Sequence, residues 1–239
     1  MDGITLYKAG KLGEAIEAVS ARLREEPGDA AGRTFLFELL SFSGEYDRAE
    51  KHLDVVARSS SDAEMGAWMY RTALHAEKLR QEMFDTDTLP ATHPAPQPAA
   101  GTLNGEAFES LTDTDPRIGA RLEVFAAGQY TWIPFSQLES VKADAPARLR
   151  DMLWIPARVK VSESFTGMEL GEVMVPALTP GTFRHPDDQV RLGRMNDWQE
   201  SDDGAAVPMG QKMLLVDGEE FPLLELRELR IEAASAPEG

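Results

Sequence analysis

Cysteine is absent from the 239-residue chain. That excludes disulfides and thiolate-held metals and suits a reducing cytosol. Long apolar runs are missing too: no window approaches the roughly 18 residues that a membrane span needs. The start, MDGITLYKAGKLGEAIEAV, lacks a basic stretch followed by an apolar one, so a cytoplasmic location is expected. Positive charge is scarce, with 24 Lys and Arg against 41 Asp and Glu, a net charge of −17. Both halves share the deficit: 11 basic and 16 acidic side chains in 1–85, 13 and 24 in 101–239. Such a surface repels phosphate backbones and speaks against nucleic acid as a partner. It suits a soluble protein that meets a basic or amphipathic partner.

Catalytic signatures are equally thin. There is no Gly-x-Ser-x-Gly elbow, and Gly167 and Gly171 stand four apart with no third glycine to complete a phosphate loop. Of the four histidines, His52 and His75 fall in expected helices and His93 in an expected linker. His185, Asp187 and Asp188 lie close together, and Asp197, Asp202 and Asp203 follow. Zinc wants several His or Cys ligands at tight spacing, and calcium wants alternating oxygens ending in a bidentate Glu. Neither pattern is met, so a solvated acidic loop is expected, with no cofactor and no enzymatic activity. A metal-dependent hydrolase using loop 185–203 is the alternative. Paired carboxylates for glycoside chemistry also stay open, because any fold can bring two acids together.

The N-terminal part holds an internal repeat. Gly10, Leu12, Ala15, Val19 and Pro27 recur 34 residues later as Gly44, Tyr46, Ala49, Leu53 and Ser61. That period, with glycine at the turn and alanine where paired helices cross, is the tetratricopeptide pattern. Helices are expected at about 2–9, 12–25, 30–43 and 47–58. A capping helix, with Asp62 as N-cap, follows to about Met83. Such stacks bind peptides or partner helices, or serve as scaffold alone.

Residues 85–104, DTDTLPATHPAPQPAAGTLN, carry four prolines within nine positions and read as an extended linker. Beyond it the pattern turns to short strands. A hairpin is expected from 121–125 and 130–134 around Gly128, then strands at 157–161 and 171–178. A long surface loop, at most with a short helix, should fill 179–209. An Asp-Gly hairpin over 212–226 closes the chain. The fold class is therefore α+β: tetratricopeptide-like helical repeats over 1–84, linker 85–104, an antiparallel β-rich domain over 105–233, and a frayed tail over 234–239.

The stretch YTWIPFSQLESVKADAPARLRDMLWIPARVKV, 130–161, repeats Trp-Ile-Pro as Trp132 to Pro134 and Trp154 to Pro156. Each reads as a sheet edge or strand end, because proline removes a ladder donor. A helical turn with Pro146 at its start should lie between them. Together with DTDPRIGARLE (113–123), VRLGRMNDW (190–198) and GQKMLLVDGEE (210–220), this stretch resembles the ImpE family, also called TagJ or SciE-type. The order and spacing of four blocks carry the resemblance, although relatives have more helical sequence where this chain has only the linker.

The resemblance implies an accessory role in type VI secretion. It implies binding to the N-terminal helix of the small contractile-sheath subunit and, through it, a part in sheath recycling by an AAA+ unfoldase. Its motif residues here are Asp113, Asp115, Arg117, Trp132, Pro134, Arg148, Arg150, Asp151, Trp154, Pro156, Arg194, Asp197 and Trp198. Arg148 and Arg150 are expected to pair with Asp113 or Asp115, and Asp151 with Arg117, joining the blocks. A recognition surface of Arg and Trp is the alternative. A docking helix is expected to lie on Tyr7, Ala31, Thr34, Glu38 and Ser41 of the helical stack. The oligomeric state is left open.

Overall fold

A computed structural model describes residues 1–58, 61–91, 96–163, 165, 170–200 and 204–232, with Asp62 described by its backbone alone. His93, Gly167, Asp202, Asp203 and the tail 234–239 lie outside what it describes, as does the side chain of the expected cap Asp62, whose backbone already lies within the helix Ser61–Asp85.

The helical half follows the repeat. Helices α1 (Gly3–Lys8), α2 (Leu12–Glu25), α3 (Ala30–Phe42) and α4 (Tyr46–Ala57) form two antiparallel pairs, and α5 (Ser61–Asp85) closes the stack. Asp2 and Asp29 cap α1 and α3 by accepting from the backbone N–H of Thr5 and Gly32, each at 2.9 Å. Gly10 and Gly44 both turn at φ +75°, which an L side chain rarely adopts. Ala15 and Ala49 are fully buried where the paired helices cross.

The rest is antiparallel sheet. Strands β1 (Gly101–Leu103), β2 (Glu106–Phe108) and β3 (Leu111–Asp113) come first. Then follow β4 (Arg121–Ala126), β5 (Gln129–Pro134), β6 (Leu138–Ala143), β7 (Trp154–Val161) and β8 (Gly171–Pro176). A one-turn helix, α6 (Asp188–Arg191), precedes β9 (Asp197–Glu200) and β10 (Ala206–Met209). Strands β11 (Met213–Val216), β12 (Glu219–Pro222) and β13 (Glu228–Ile231) complete the chain. Eight strands form one sheet in the order β2-β1-β13-β6-β7-β8-β4-β5, and β12-β11-β3 and β10-β9 form two small ones.

Three expectations are corrected. The linker is shorter than 85–104: Asp85 still belongs to α5, and Gly101 already opens β1. Residues 179–209 hold, besides the short helix allowed for (α6), the unforeseen β9–β10 hairpin. The helical turn is Leu149–Met152, a 3-10 turn that begins after Pro146, and an unforeseen strand, β6, precedes it. The Trp-Ile-Pro reading fits the geometry. Strand β5 is an edge ending at Pro134, and Pro156 lies just before β6 joins β7 at the Ala143–Ala157 pair.

The large sheet buries one face along its length and the other only where the helices cover it. Leu122, Val124, Ile133, Ile155, Val173 and Val175 point into a core closed by Leu111, Leu214 and Leu223. Phe125, Tyr130, Trp132, Trp154 and Met174 point the other way, into the core of the helices. Period-two alternation thus makes the sheet the middle layer of three.

One turn carries visible strain. Ala127 (φ 50°) and Gly128 (φ 79°) join β4 to β5, as Asn104-Gly105 and Asp217-Gly218 join other hairpins. Left-handed backbone costs alanine about 1 kcal/mol or more, and asparagine tolerates it. Ala127→Asn is therefore expected to raise unfolding free energy by about 0.5–1 kcal/mol. A urea midpoint at or below that of the wild type would show that the exposed turn is not strained.

Candidate functional site: a buried charged joint

Helix α5 presents Glu77, Arg80 and Gln81 on one face, at the i, i+3 and i+4 spacing of a single stripe. All three are buried, Arg80 at 1 % exposure. The guanidinium of Arg80 forks onto Glu123 of β4 at 2.7 and 2.9 Å, and donates to Glu77 at 3.0 Å and to the Leu178 carbonyl at 3.0 Å. Glu77 also accepts from Gln81 at 2.7 Å and from the Trp154 indole at 2.9 Å. On the far side, Lys212 contacts Glu123 at 2.5 Å and pairs with Asp113. The Tyr130 hydroxyl donates to Glu123 at 2.5 Å and accepts from the Trp132 indole. Asp115 fixes Arg117, which stacks 4.7 Å over Phe84 of α5.

Burial sets the electrostatics. It would raise Glu123, but Arg80 and Lys212 outweigh it and hold that carboxyl at about 2. It pushes Asp113 up to about 6, against the pull of Lys212 and with the help of Glu123. Burial disfavours the charge on Lys212, yet Asp113 and Glu123 keep its pKa above the usual value. The cluster is a satisfied ionic joint between the helical half and the sheet, with its charges kept in place by one another.

Asp113 gives a pH dependence. With its folded pKa above the unfolded one, its contribution is full below pH 3.8 and is lost as pH rises through about 6. Between pH 5 and 7.5 that amounts to about 1 kcal/mol. Glu123 acts in the opposite sense and only in acid: its contribution is present above 4.5 and lost as pH falls through about 2. Urea unfolding of wild type and Asp113→Asn at pH 5 and 7.5 isolates the effect. The wild type should lose that much more than the variant over the interval, and parallel losses would disprove the assignment.

Against known proteins, a family profile described as "ImpE protein" matches residues 105–230, more than half of the chain. The chain belongs to the ImpE family. A tetratricopeptide-repeat profile matches residues 6–67. The type VI secretion system accessory component TagJ of Pseudomonas aeruginosa is 33 % identical over an alignment 264 positions long, covering 97 % of this chain and 91 % of that protein. A crystal structure of a Vibrio parahaemolyticus protein superposes with a TM-score of 0.83 over 96 % of this chain and 97 % of that one. At 20 % identity it shares the fold.

The ImpE blocks supply Asp113, Asp115, Arg117, Trp132, Trp154 and Lys212 to the joint, but not with the expected partners. Arg150 reaches Glu38 of α3 at 2.9 Å and lies 4.6 Å over the Tyr70 ring, far from the acidic block. Asp151 accepts from the backbone of Ala147 and Arg148, closing its own turn, while Arg117 pairs with Asp115. Arg148 is exposed, as is Pro156 in β7. The charges form within short turns because the neighbouring backbone N–H groups are nearer than any other block.

The expected docking face is also corrected. Glu38 and Ser41 are buried at 7 % and 2 % exposure, covered by Arg150, Leu153 and Trp154 of the sheet half. Burial raises the Glu38 pKa against Arg150. Tyr7 and Thr34 are half-buried, Tyr7 beneath Arg194 at 4.5 Å, and only Ala31 is open. Sequence reasoning missed Arg80, Glu77, Glu123 and Lys212. A carboxylate between Leu122 and Val124 was the available signal, since a strand buried on both faces must pair it.

The acidic loop locks the structure. Asp187 caps α6 and Asp188 accepts from Gly13 N–H at 3.1 Å, while Arg194 donates to the Lys8 carbonyl at 3.2 Å. His185 accepts from Asp187 N–H at Nδ1 and so donates from Nε2 to Asp197 at 3.1 Å. Trp198, in β9, is half-exposed. Among the described residues no group of three or more His, Asp or Glu is placed to hold a metal ion, and no helix is long and apolar enough to cross a membrane.

Proposed function

We propose that this protein is an accessory component of a type VI secretion system that acts by binding and not by catalysis. On this reading it works in the cytoplasm, captures the N-terminal helix of the small contractile-sheath subunit, and brings the sheath indirectly to its AAA+ unfoldase. The observation that carries the reading is the near end-to-end similarity to TagJ, 97 % of this chain and 91 % of the relative. The loop carboxylates engaged as caps and pairs support a binding role over a hydrolytic one. The tetratricopeptide stack fits as well, since helix-in-groove capture is a recurring mode for such surfaces.

The test is co-purification with the small sheath subunit from the same secretion cluster, intact or without its N-terminal helix. Retention of the intact subunit and loss of the truncated one is expected. Failure to retain the intact subunit overturns the partner assignment.

A further inference from the structure

We propose that residues 181–194 are a strap that sets the curvature of the helical stack, gripping the equivalent turn of each helix pair and tying the angle between pairs to the sheet half. In a repeat stack each pair touches only its neighbours, and curvature is the sum of small rotations between them. An element that reaches every pair at once removes that freedom.

The strap runs along the ends of the helices, from the capping helix back to the first pair. At its start, Gly181 N–H donates to Gln81 of α5 at 3.0 Å, and Arg184 forks onto Asp85 at the end of the same helix at 2.7 and 2.5 Å. Phe183 lies on the turn between α3 and α4, its ring centroid 5.9 Å from that of Tyr46. Further along, Gln189 lies on the turn between α1 and α2 and donates to the Ala9 carbonyl at 3.4 Å. Asp188 accepts from Gly13 N–H of α2 at 3.1 Å, and Arg194 donates to the Lys8 carbonyl at the end of α1 at 3.2 Å.

Both grips fall on the same position of the repeat. Gly10 and Gly44 stand 34 residues apart, and a methyl group built on either would overlap a strap side chain. On Gly10 it would meet the carboxamide of Gln189, and on Gly44 the ring of Phe183. Glycine is thus required twice over, for the positive φ and for the approach of the strap. The carboxamide can swing aside, whereas the ring is the firmer stop. Behind the grips the strap is held elsewhere: Thr182 Oγ1 accepts from Gly210 N–H at 2.9 Å, His185 bonds Asp197 of β9, and Val190 and Leu192 are buried. A change of angle between the pairs must lift Phe183 or Gln189 off its turn or pull the strap from these anchors. The stack is thereby held in one shape.

The chain has no cysteine, so spin labels attach only where cysteines are placed: Glu17→Cys on α2 and His75→Cys on α5, both exposed. Electron–electron double resonance then reads the distance across the stack in the full-length protein. The native strap, Gln189→Ala, and Phe183→Ala combined with Gln189→Ala are compared. One narrow distribution is expected with the native strap, at least about twofold wider in the double variant and intermediate for Gln189→Ala. The grip itself is read from a mutant cycle. Gly44→Ala should lower the melting temperature more in the wild type than in Phe183→Ala, because the φ strain persists in both and the overlap in only one. An unchanged width in the folded strap variants overturns the proposal, since the stack then keeps its own curvature. Equal drops in melting temperature overturn it too, since the strap then does not press on the turn. Gln189→Ala removes no ring from the interface, so it carries the distance test if the double variant unfolds.

Discussion

Arg80→Met is expected to cost about 3–5 kcal/mol of unfolding free energy, as removal of one partner from a buried ion pair does. Arg80 is 1 % exposed and makes four hydrogen bonds that join α5 to Glu123 in β4 and to the Leu178 carbonyl. Methionine fills most of the volume but leaves Glu123 with Lys212 and Tyr130 alone, and Glu77 with Gln81 and Trp154. The readout is the urea midpoint, together with the rate of proteolysis between the helices and the sheet. The double variant Arg80→Met with Glu123→Leu is the control, because replacing both partners by apolar groups removes the orphaned charge. It should recover a good part of the loss, with Lys212 still held by Asp113. A single-variant cost below about 1 kcal/mol would mean the joint does not hold the halves together.

The helical half was legible because its signals are local. Gly10 and Gly44, Ala15 and Ala49 each serve a turn or a crossing within one helix pair, and the 34-residue offset repeats them. Hairpins with Gly128 and Gly218 in the turn were legible for the same reason. Asn104-Gly105 carries an equally strong turn signal, but it follows a proline-rich stretch whose composition hides β1. Strand β6 was missed because LESVKA does not alternate cleanly. Its pairing shifts between Leu138 and Ser140, and Glu139 and Lys142 lie on the open face.

The site was legible as a set of residues and not as a set of contacts. Asp113, Asp115, Arg117, Trp132 and Trp154 do converge, but their partners come from distant elements. Arg80 and Glu123 are 43 residues apart, and Asp113 and Lys212 are 99 apart. The groove on α3 failed on the same ground. A repeat alignment gives the face that a stack would present, and here the chain's own sheet half fills it. The basic side chain that Glu38 meets is Arg150 of the same chain.

Trp154→Ala tests that filling directly. Trp154 is 1 % exposed at the start of β7, with its ring 6.4 Å from both Phe37 of α3 and Tyr70 of α5. It is the plug that the sheet inserts into the helices. Truncation to alanine should cost about 3–5 kcal/mol, from lost burial and from the cavity left between two helices that cannot fully close. Trp154→Phe keeps most of the ring and removes only the indole N–H donated to Glu77, so about 1–2 kcal/mol is expected. Equal costs for the two variants would show that the hydrogen bond, and not the packing, fixes the joint. Peptide binding reads out differently from stability. If α3 were the partner's seat, emptying the Trp154 pocket would free the face of Phe37, Glu38 and Ser41 and tighten binding. Because the chain's own sheet half fills that face, an affinity unchanged in the folded variant is the expected result.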